Sequence, residues 1–301
     1  MKAKDLYYRN QGGAPLGGVI TALIVGLIAA IILGGLYTVA VWFVPLIYIN
    51  ILFAVALGVL LGKSVGLGAI KGKVRSVGPV LLIALIAALV AEYVQWATYL
   101  TLFAHAGDST SFGSGSSRID LVSTSFSASV FLYWLGHPGD MITMAQAIAQ
   151  EGVWSIKNHV PTGVELYAVW GIEALIIIGF TLGFAREQIN KPYSESADCW
   201  MGKQVMPAAL PYIEQPKEFI GQLEAGNYDV ILNSETIPDD AKASRAKLTI
   251  YSCPEDSYAY LSITNFKAVK KKVKSAHILK YFKLEKSAAL RLAQHVGGSI
   301  A

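Results

Sequence analysis

Four apolar runs constrain the fold of this chain more than any other feature of its sequence. They cover residues 16–41, 47–67, 79–103 and 163–185. Each run is long enough for a helix that crosses a bilayer core, which takes about 20 residues. The only Lys or Arg in them is Lys63, whose long side chain can extend to the membrane interface. Four transmembrane helices are therefore predicted.

The charged residues support this class and predict an orientation. They make up 15% of the chain, whereas about 25% is usual for a soluble domain. Residues 1–15 and the loop after the second run have an excess of Lys and Arg, while residues 104–162 have two basic and four acidic residues. Because cytoplasmic loops are rich in Lys and Arg, we expect a multi-pass protein of the cell inner membrane with both termini in the cytoplasm. Residues 104–162 then lie outside.

Small residues recur at every fourth position in the first two runs, which indicates close helix packing. Such stripes let helix backbones approach each other, and they could equally recruit a second copy of the chain. The stripe residues are Gly18, Ala22, Gly26, Ala30, Gly34, Ala54, Gly58, Gly62 and Gly66.

Two carboxyl groups interrupt the third and fourth runs. Glu92 and Glu173 are predicted at similar depth near the middle of the bilayer, and Gln95 lies one turn from Glu92. No Lys or Arg in the runs lies at that depth, so we expect at least one carboxyl to be neutral at pH 7 and to donate a hydrogen bond to the other or to Gln95. This polar group either holds helices together or forms a proton- or cation-coupled site.

The predicted outer segment, 104–162, contains further polar and aromatic features. Residues 107–117 are typical of a flexible Gly/Ser linker. Residues 127–136 are apolar but too short to span, so with the helix after them they predict an interfacial or re-entrant hairpin. A fifth span here would place the basic C-terminal region outside. Three histidines and three acids could ligate a metal, but their spacing matches no metal motif, and no metal site is predicted. These residues are His105, His137, His159, Asp108, Asp140 and Glu151.

Residues 186–301 predict a small cytoplasmic α+β domain. A helix is expected after Pro216, ending at Gly226, and another before Gly297. Strands are expected at 228–233, 246–253, 258–266 and 276–284. The two cysteines, Cys199 and Cys253, are expected as reduced thiols.

A lysine cluster is the densest concentration of charge in this domain. It could contact anionic lipid headgroups or simply form a solvated hairpin tip. The domain lacks signatures of nucleic-acid binding, so no nucleic-acid partner is expected. The candidate lipid-contact residues are Lys270, Lys271, Lys272 and Lys274.

Function is less constrained than architecture. The common phosphate-binding, hydrolase and metalloprotease motifs are absent, so we expect no catalytic residue and no cofactor. The leading hypothesis is a non-enzymatic scaffold, sensor or accessory subunit that presents a cytoplasmic domain, with membrane lipids and a homo-oligomer or complex subunit as partners. The first alternative is a proton-coupled transport component that uses Glu92 and Glu173. A membrane enzyme that uses the outer histidines is the second.

Overall fold

The computed structural model of the protein describes residues 3–44, 46–112, 119–152, 160–240, 242–269 and 272–300. The chain divides into two compact units. One unit is Gly12–Asn190, and the other combines Met1–Gln11 with Lys191–Ala301.

The first unit is mainly helical. Its four longest helices are long and apolar enough to cross a membrane, as the sequence predicts. Its elements are α1 (Leu16–Phe43), α2 (Ile47–Lys71), α3 (Val77–Ala104), β1 (Ala106–Phe112), β2 (Ile119–Thr124), α4 (Ala128–Gly136), α5 (Pro138–Glu151) and α6 (Val164–Ile189).

Both small-residue stripes lie buried in interfaces within the chain. The α1 stripe packs on α2 and α3: a Cβ added at Gly18 would lie 1.9 Å from the Gly72 oxygen, and one at Gly34 would lie 2.7 Å from the Ala91 oxygen. The α2 stripe packs on α6, where a Cβ added at Gly62 would lie 2.5 Å from the Thr181 oxygen. The two stripes therefore serve different helix pairs. A homo-oligomer stays a prediction, and these residues are already occupied within the chain.

The segment between α3 and α6 contains more regular structure than the linker that its composition predicts. β1 and β2 pair in antiparallel fashion from Asp108↔Ser123 to Phe112↔Ile119, so most of 107–117 is a strand. The remaining residues, 113–118, lie outside the described residues. The two predicted short helices are present as α4 and α5, and α4 packs on α3 through Trp134 and Leu100.

The second unit combines a β-sheet with short helices that share one hydrophobic core with it. Its elements are a 3-10 turn (Ala3–Leu6), β3 (Tyr193–Ser194), β4 (Cys199–Trp200), β5 (Gly202–Val205), β6 (Ala208–Pro211), α7 (Pro216–Glu224), α8 (Asp229–Leu232), β7 (Ile237–Pro238), β8 (Arg245–Ser252), β9 (Tyr258–Val269), β10 (Lys272–Glu285) and α9 (Lys286–His295).

Five strands follow the order β10-β9-β8-β6-β7, with β5 also paired to β8, and the pairings are antiparallel. The alternation of apolar side chains in β8 and β9 directs Leu248, Leu261 and Ile263 into the core, where they meet residues of the helices such as Leu223 and Leu292. Three of the four predicted strands are confirmed as β8, β9 and β10.

The predicted strand at 228–233 is wrong, because α8 lies there. Gly226 has a φ of 83°, which turns the chain after α7. The Asn227 side chain then accepts a hydrogen bond from the Asp229 backbone N–H at 3.2 Å. An Asn side chain that accepts from the backbone two residues later forms a turn, and this turn leads into α8 in place of an extended strand.

The N-terminal segment joins the edge of this sheet. Tyr7 forms an antiparallel bridge with Phe282 on β10, and the Tyr8 backbone N–H donates to the Tyr281 oxygen at 2.9 Å. Tyr281 lies at a bulge in β10 with a φ of 55°. The Tyr7 hydroxyl also donates to Glu224 at 2.7 Å. The segment therefore covers part of a strand edge that would otherwise be open.

The expectation of two reduced thiols is wrong for this structure, in which Cys199 and Cys253 form a disulfide with an S–S distance of 2.09 Å. Cys199 lies on β4 and Cys253 directly follows β8. Their 54-residue separation in sequence concealed this proximity, because it depends on how β4 lies near the end of β8.

Candidate functional site

The carboxyl group of Glu173 is the centre of a polar cluster in the four-helix bundle. Glu173 lies 16 residues before the end of α6 at Ile189, and Glu92 lies 15 residues after the start of α3 at Val77. At the helical rise these separations are about 24 and about 22 Å. Both carboxyls therefore lie close to the middle of their helices and at matching heights.

Three helices meet at Glu173. Its Oε1 accepts a hydrogen bond from the Tyr37 hydroxyl at 2.6 Å and another from Gln95 Nε2 at 3.2 Å. Tyr37 belongs to α1 and Gln95 to α3, so a single carboxylate oxygen links α1, α3 and α6. Thr38 adds a further link, since its hydroxyl donates to the Gln95 backbone oxygen at 3.0 Å. We call Tyr37, Glu92, Gln95 and Glu173 the polar cluster.

Glu92 belongs to the cluster without sharing these hydrogen bonds. It interacts electrostatically with Glu173, but among the described residues its buried Oε1 has no hydrogen-bond partner. The buried Oε1 of Gln95 has none either. The structure does pair Glu173 with Gln95, but the Gln95 amide is the donor and the carboxyl oxygen accepts, which reverses the predicted direction. Tyr37 supplies the second donor to Glu173.

Tyr37 is the member of the cluster that the sequence interpretation missed. The signal was present: Tyr37 follows Gly34 by three residues, so it lies on the face of α1 that carries the small-residue stripe. A hydroxyl on a packed face needs a hydrogen-bond partner in an apolar surrounding. Glu173, on a neighbouring helix, is that partner.

An aromatic layer lies next to the polar cluster. Trp96 follows Gln95 directly, and Trp170 precedes Glu173 by three residues. The two indole rings meet edge to face with centroids 4.8 Å apart. Tyr99 packs on Trp96 and on Trp42 at centroid distances of 6.0 and 5.6 Å. These rings cover the cluster toward the C-terminal end of α3.

The end of α4 extends this cover. The Tyr93 hydroxyl donates to the Leu135 backbone oxygen at 2.9 Å, which holds α4 beside α3. Trp134, Leu100 and Met141 share one apolar cluster with the aromatic residues around them. The carboxyl groups are thus separated from that end of the bundle by packed rings and a short helix.

The outer histidines do not assemble into a site in the described part of the chain. His105 follows α3, and His137 separates α4 from α5, where its Nδ1 lies 2.7 Å from the Tyr133 oxygen. The Tyr133 hydroxyl donates to Asp140. His159 lies outside the described residues, and no three His, Cys, Asp or Glu side chains group together among those described. The metal hypothesis therefore gains no geometric support from the described residues.

The lysine cluster is only partly described. Lys272 and Lys274 lie exposed on β10, whereas Lys270 and Lys271 lie outside the described residues.

Comparison of the chain with known protein families, with curated proteins and with solved structures finds no match.

Proposed function

We propose that this chain is a non-enzymatic integral membrane protein that presents its α+β domain at the membrane surface as a scaffold, sensor or accessory subunit. Insertion is supported by the outer faces of the bundle, which are covered by large apolar side chains. Leu36 is 60% exposed, Leu52 66% and Leu82 60%. In water such a surface would be an aggregation liability, whereas a bilayer covers it.

The observation that carries the proposal is that the first and last segments of the chain fold together into one domain. Residues Met1–Gln11 precede α1 and Lys191–Ala301 follow α6, yet together they form one compact unit. Two covalent connections therefore join the domain to the bundle. We therefore propose that both ends lie on the same side of the membrane, which an even number of spans allows. A domain joined at two points suits presentation of a surface, because its freedom to rotate is reduced.

In this proposal the polar cluster holds helices of the bundle together. Each hydrogen bond of this kind within a membrane contributes on average about 0.6 kcal/mol. Glu173 connects α1 with α6, and the domain is joined to the start of α1 and to the end of α6. The aromatic layer over the cluster favours this holding role over a conducting one.

Site-specific photo-crosslinking in the native membrane tests whether the domain contacts a partner protein. We expect a photoreactive residue at the exposed domain positions Val205 or Tyr258 to capture one protein in a constant ratio. The matched control is the same residue at Ile24 or Leu175 on the outer faces of the bundle, where lipid adducts are expected. Protein adducts confined to the bundle positions would contradict a presented domain.

The side of the membrane is a separate part of the proposal. Loop charges favour the cytoplasm for the domain, whereas a disulfide such as Cys199–Cys253 is usual in oxidising compartments. We propose the cytoplasmic side of the inner membrane, since the charge rule draws on several loops. Reporter fusions at the C-terminus decide it: green fluorescence is expected, and active alkaline phosphatase would place the domain outside.

A second candidate function is proton-coupled transport through Glu92 and Glu173. The observation in its favour is the pair of buried oxygens, Glu92 Oε1 and Gln95 Oε1, that have no hydrogen-bond partner among the described residues. A proton or a small cation would satisfy them.

Proton flux into liposomes that contain the full chain distinguishes the two functions. The scaffold proposal predicts the same background flux for the native chain, Glu92→Gln and Glu173→Gln. The matched control is Glu165→Gln, an exposed position in the first turn of α6. Flux that disappears in Glu92→Gln and persists in Glu165→Gln would replace the scaffold proposal with the transport one.

A further inference from the structure

The hairpin formed by β9 and β10 concentrates basic charge. Between Asp256 and Glu285 the sequence has seven lysines and neither Asp nor Glu. Residues 186–301 contain 16 Lys and Arg in all, so nearly half of them lie in this one hairpin. In the rest of residues 186–301, Asp and Glu outnumber Lys and Arg.

The tip of the hairpin extends beyond the sheet as a two-stranded ribbon. Pairing between β8 and β9 ends at Arg245↔Phe266, while pairing between β9 and β10 continues to Val269↔Lys272. Beyond Phe266 the ribbon pairs with no third strand among the described residues. Two contacts still join β9 to the domain here: the Ala268 backbone N–H donates to the Ser244 hydroxyl at 2.9 Å, and Lys267 Nζ lies 5.6 Å from the centroid of the Tyr212 ring. The described side chains of the ribbon from Lys272 to His277 are exposed.

The register places three of the lysines on one face. Residues paired across a ladder point to the same side, and so do residues two apart along a strand. Lys274 pairs with Lys267 and Lys272 pairs with Val269. The basic ribbon face therefore consists of Lys267, Val269, Lys272 and Lys274, and Val269 is 40% exposed.

We propose that the basic ribbon face binds the anionic headgroups of a phospholipid bilayer. Each basic residue near an anionic membrane surface strengthens the association about fivefold. An exposed apolar side chain among the lysines can enter the interface alongside them. The inference rests on the proposed membrane insertion, because insertion keeps the ribbon near a bilayer and makes weak contacts sufficient.

Hydrogen exchange of the full chain in lipid nanodiscs tests this proposal. One set of discs contains phosphatidylcholine only, and the other contains a mixture with phosphatidylserine. Both leaflets of a disc have the same composition, so the result does not depend on which side the domain occupies. We expect amides of the ribbon tip, residues 266–277, to exchange about fivefold or more slowly in the anionic discs. High salt should remove the difference.

Charge variants identify the surface responsible. Lys267→Gln, Lys272→Gln and Lys274→Gln combined should abolish the lipid-dependent protection. The matched control removes three exposed lysines elsewhere in the domain, with Lys203→Gln, Lys217→Gln and Lys242→Gln, and should retain it. Unchanged exchange of the β8 amides shows that either variant is folded.

Three outcomes would overturn the proposal. Equal exchange in the two kinds of disc would mean that the lysines only keep the strand edge from pairing with other chains. Equal loss in both triple variants would mean that the net charge of the domain acts, and not this face. Protection by a short single-stranded RNA, without protection by phosphatidylserine, would identify a different partner. A chain that fails to enter the discs at all contradicts the proposed function instead, so the two failures are distinguishable.

Discussion

The two units of this protein differ in how much of their interior consists of small side chains. The core of the α+β domain consists of large side chains such as Phe282, 1% exposed, and Leu248, fully buried. Alanine and glycine occupy much of the interior of the bundle, while leucine and isoleucine cover its outside. The domain is thus stabilised by removing apolar area from water, whereas the bundle is stabilised by backbones in close contact.

The largest expected effect is loss of a large side chain in the domain. Phe282→Ala removes a ring that packs in the core and edge to face on Tyr7. We expect the free energy of unfolding of the domain to fall by about 3–5 kcal/mol, as for other buried Phe residues. Hydrogen exchange of the β8 and β9 amides in the full chain measures it. Val273→Ala, at an exposed position of β10, is the control and should change little. A small effect of Phe282→Ala would mean that this core does not hold the domain together.

The next largest effect on stability is expected in the bundle, where a single added carbon should destabilise the helix packing. Gly18→Ala places a Cβ 1.9 Å from the Gly72 oxygen, so α1 and α2 must separate. We expect a destabilisation of about 1–3 kcal/mol, as for other overpacked sites. Gly17→Ala is the matched control: it adds the same carbon one residue away, where no atom lies within 4 Å. Alanine favours a helix over glycine, so Gly17→Ala should be neutral or stabilising.

Thermal unfolding of the full chain in detergent, followed by tryptophan fluorescence, compares the two variants. Equal melting temperatures of the two variants would show that close contact between the backbones of α1 and α2 does not hold these two helices together.

This contrast also explains how much the sequence could predict. The four long helices were predictable because twenty or more apolar residues leave few other structures. The strands β8 and β9 were predictable from their alternation. The short elements β3 to β7 were not, since two to four residues carry no measurable period. Neither was the contact of Tyr8 with Tyr281, which joins residues at opposite ends of the chain.

The polar cluster was predictable in part for the same reason. Glu92, Gln95 and Glu173 stand out in apolar runs, and their heights follow from the helical rise. Which of them bond to each other depends on the rotation of each helix, and one sequence does not determine it. Tyr37, on the face of α1 that carries the stripe, supplies the donor that was expected from a carboxyl group.

The smallest expected effect concerns an ion-paired group on the domain, and it depends on pH. Asp239 accepts hydrogen bonds from Lys247 and from Arg245, whose guanidinium is almost fully buried. The bond from Lys247, and then that from Arg245, holds the pKa of Asp239 below its ordinary value, although burial acts in the opposite direction.

A folded-state pKa below the unfolded value means that this stabilisation is complete above the unfolded pKa, about 3.9. It is lost as the pH falls through the lower, folded-state pKa. Because this ion pair belongs to the domain, acid should weaken the domain through it. Asp239→Asn should lower the stability of the domain at neutral pH by about 1 kcal/mol or less and should make it less sensitive to acid. Hydrogen exchange of the domain amides between neutral pH and about pH 3 measures both effects.

Glu255→Gln, in the exposed turn before β9, is the control. If Asp239→Asn and the native chain lost stability in parallel as the pH fell, the acid response would have to come from other carboxyl groups.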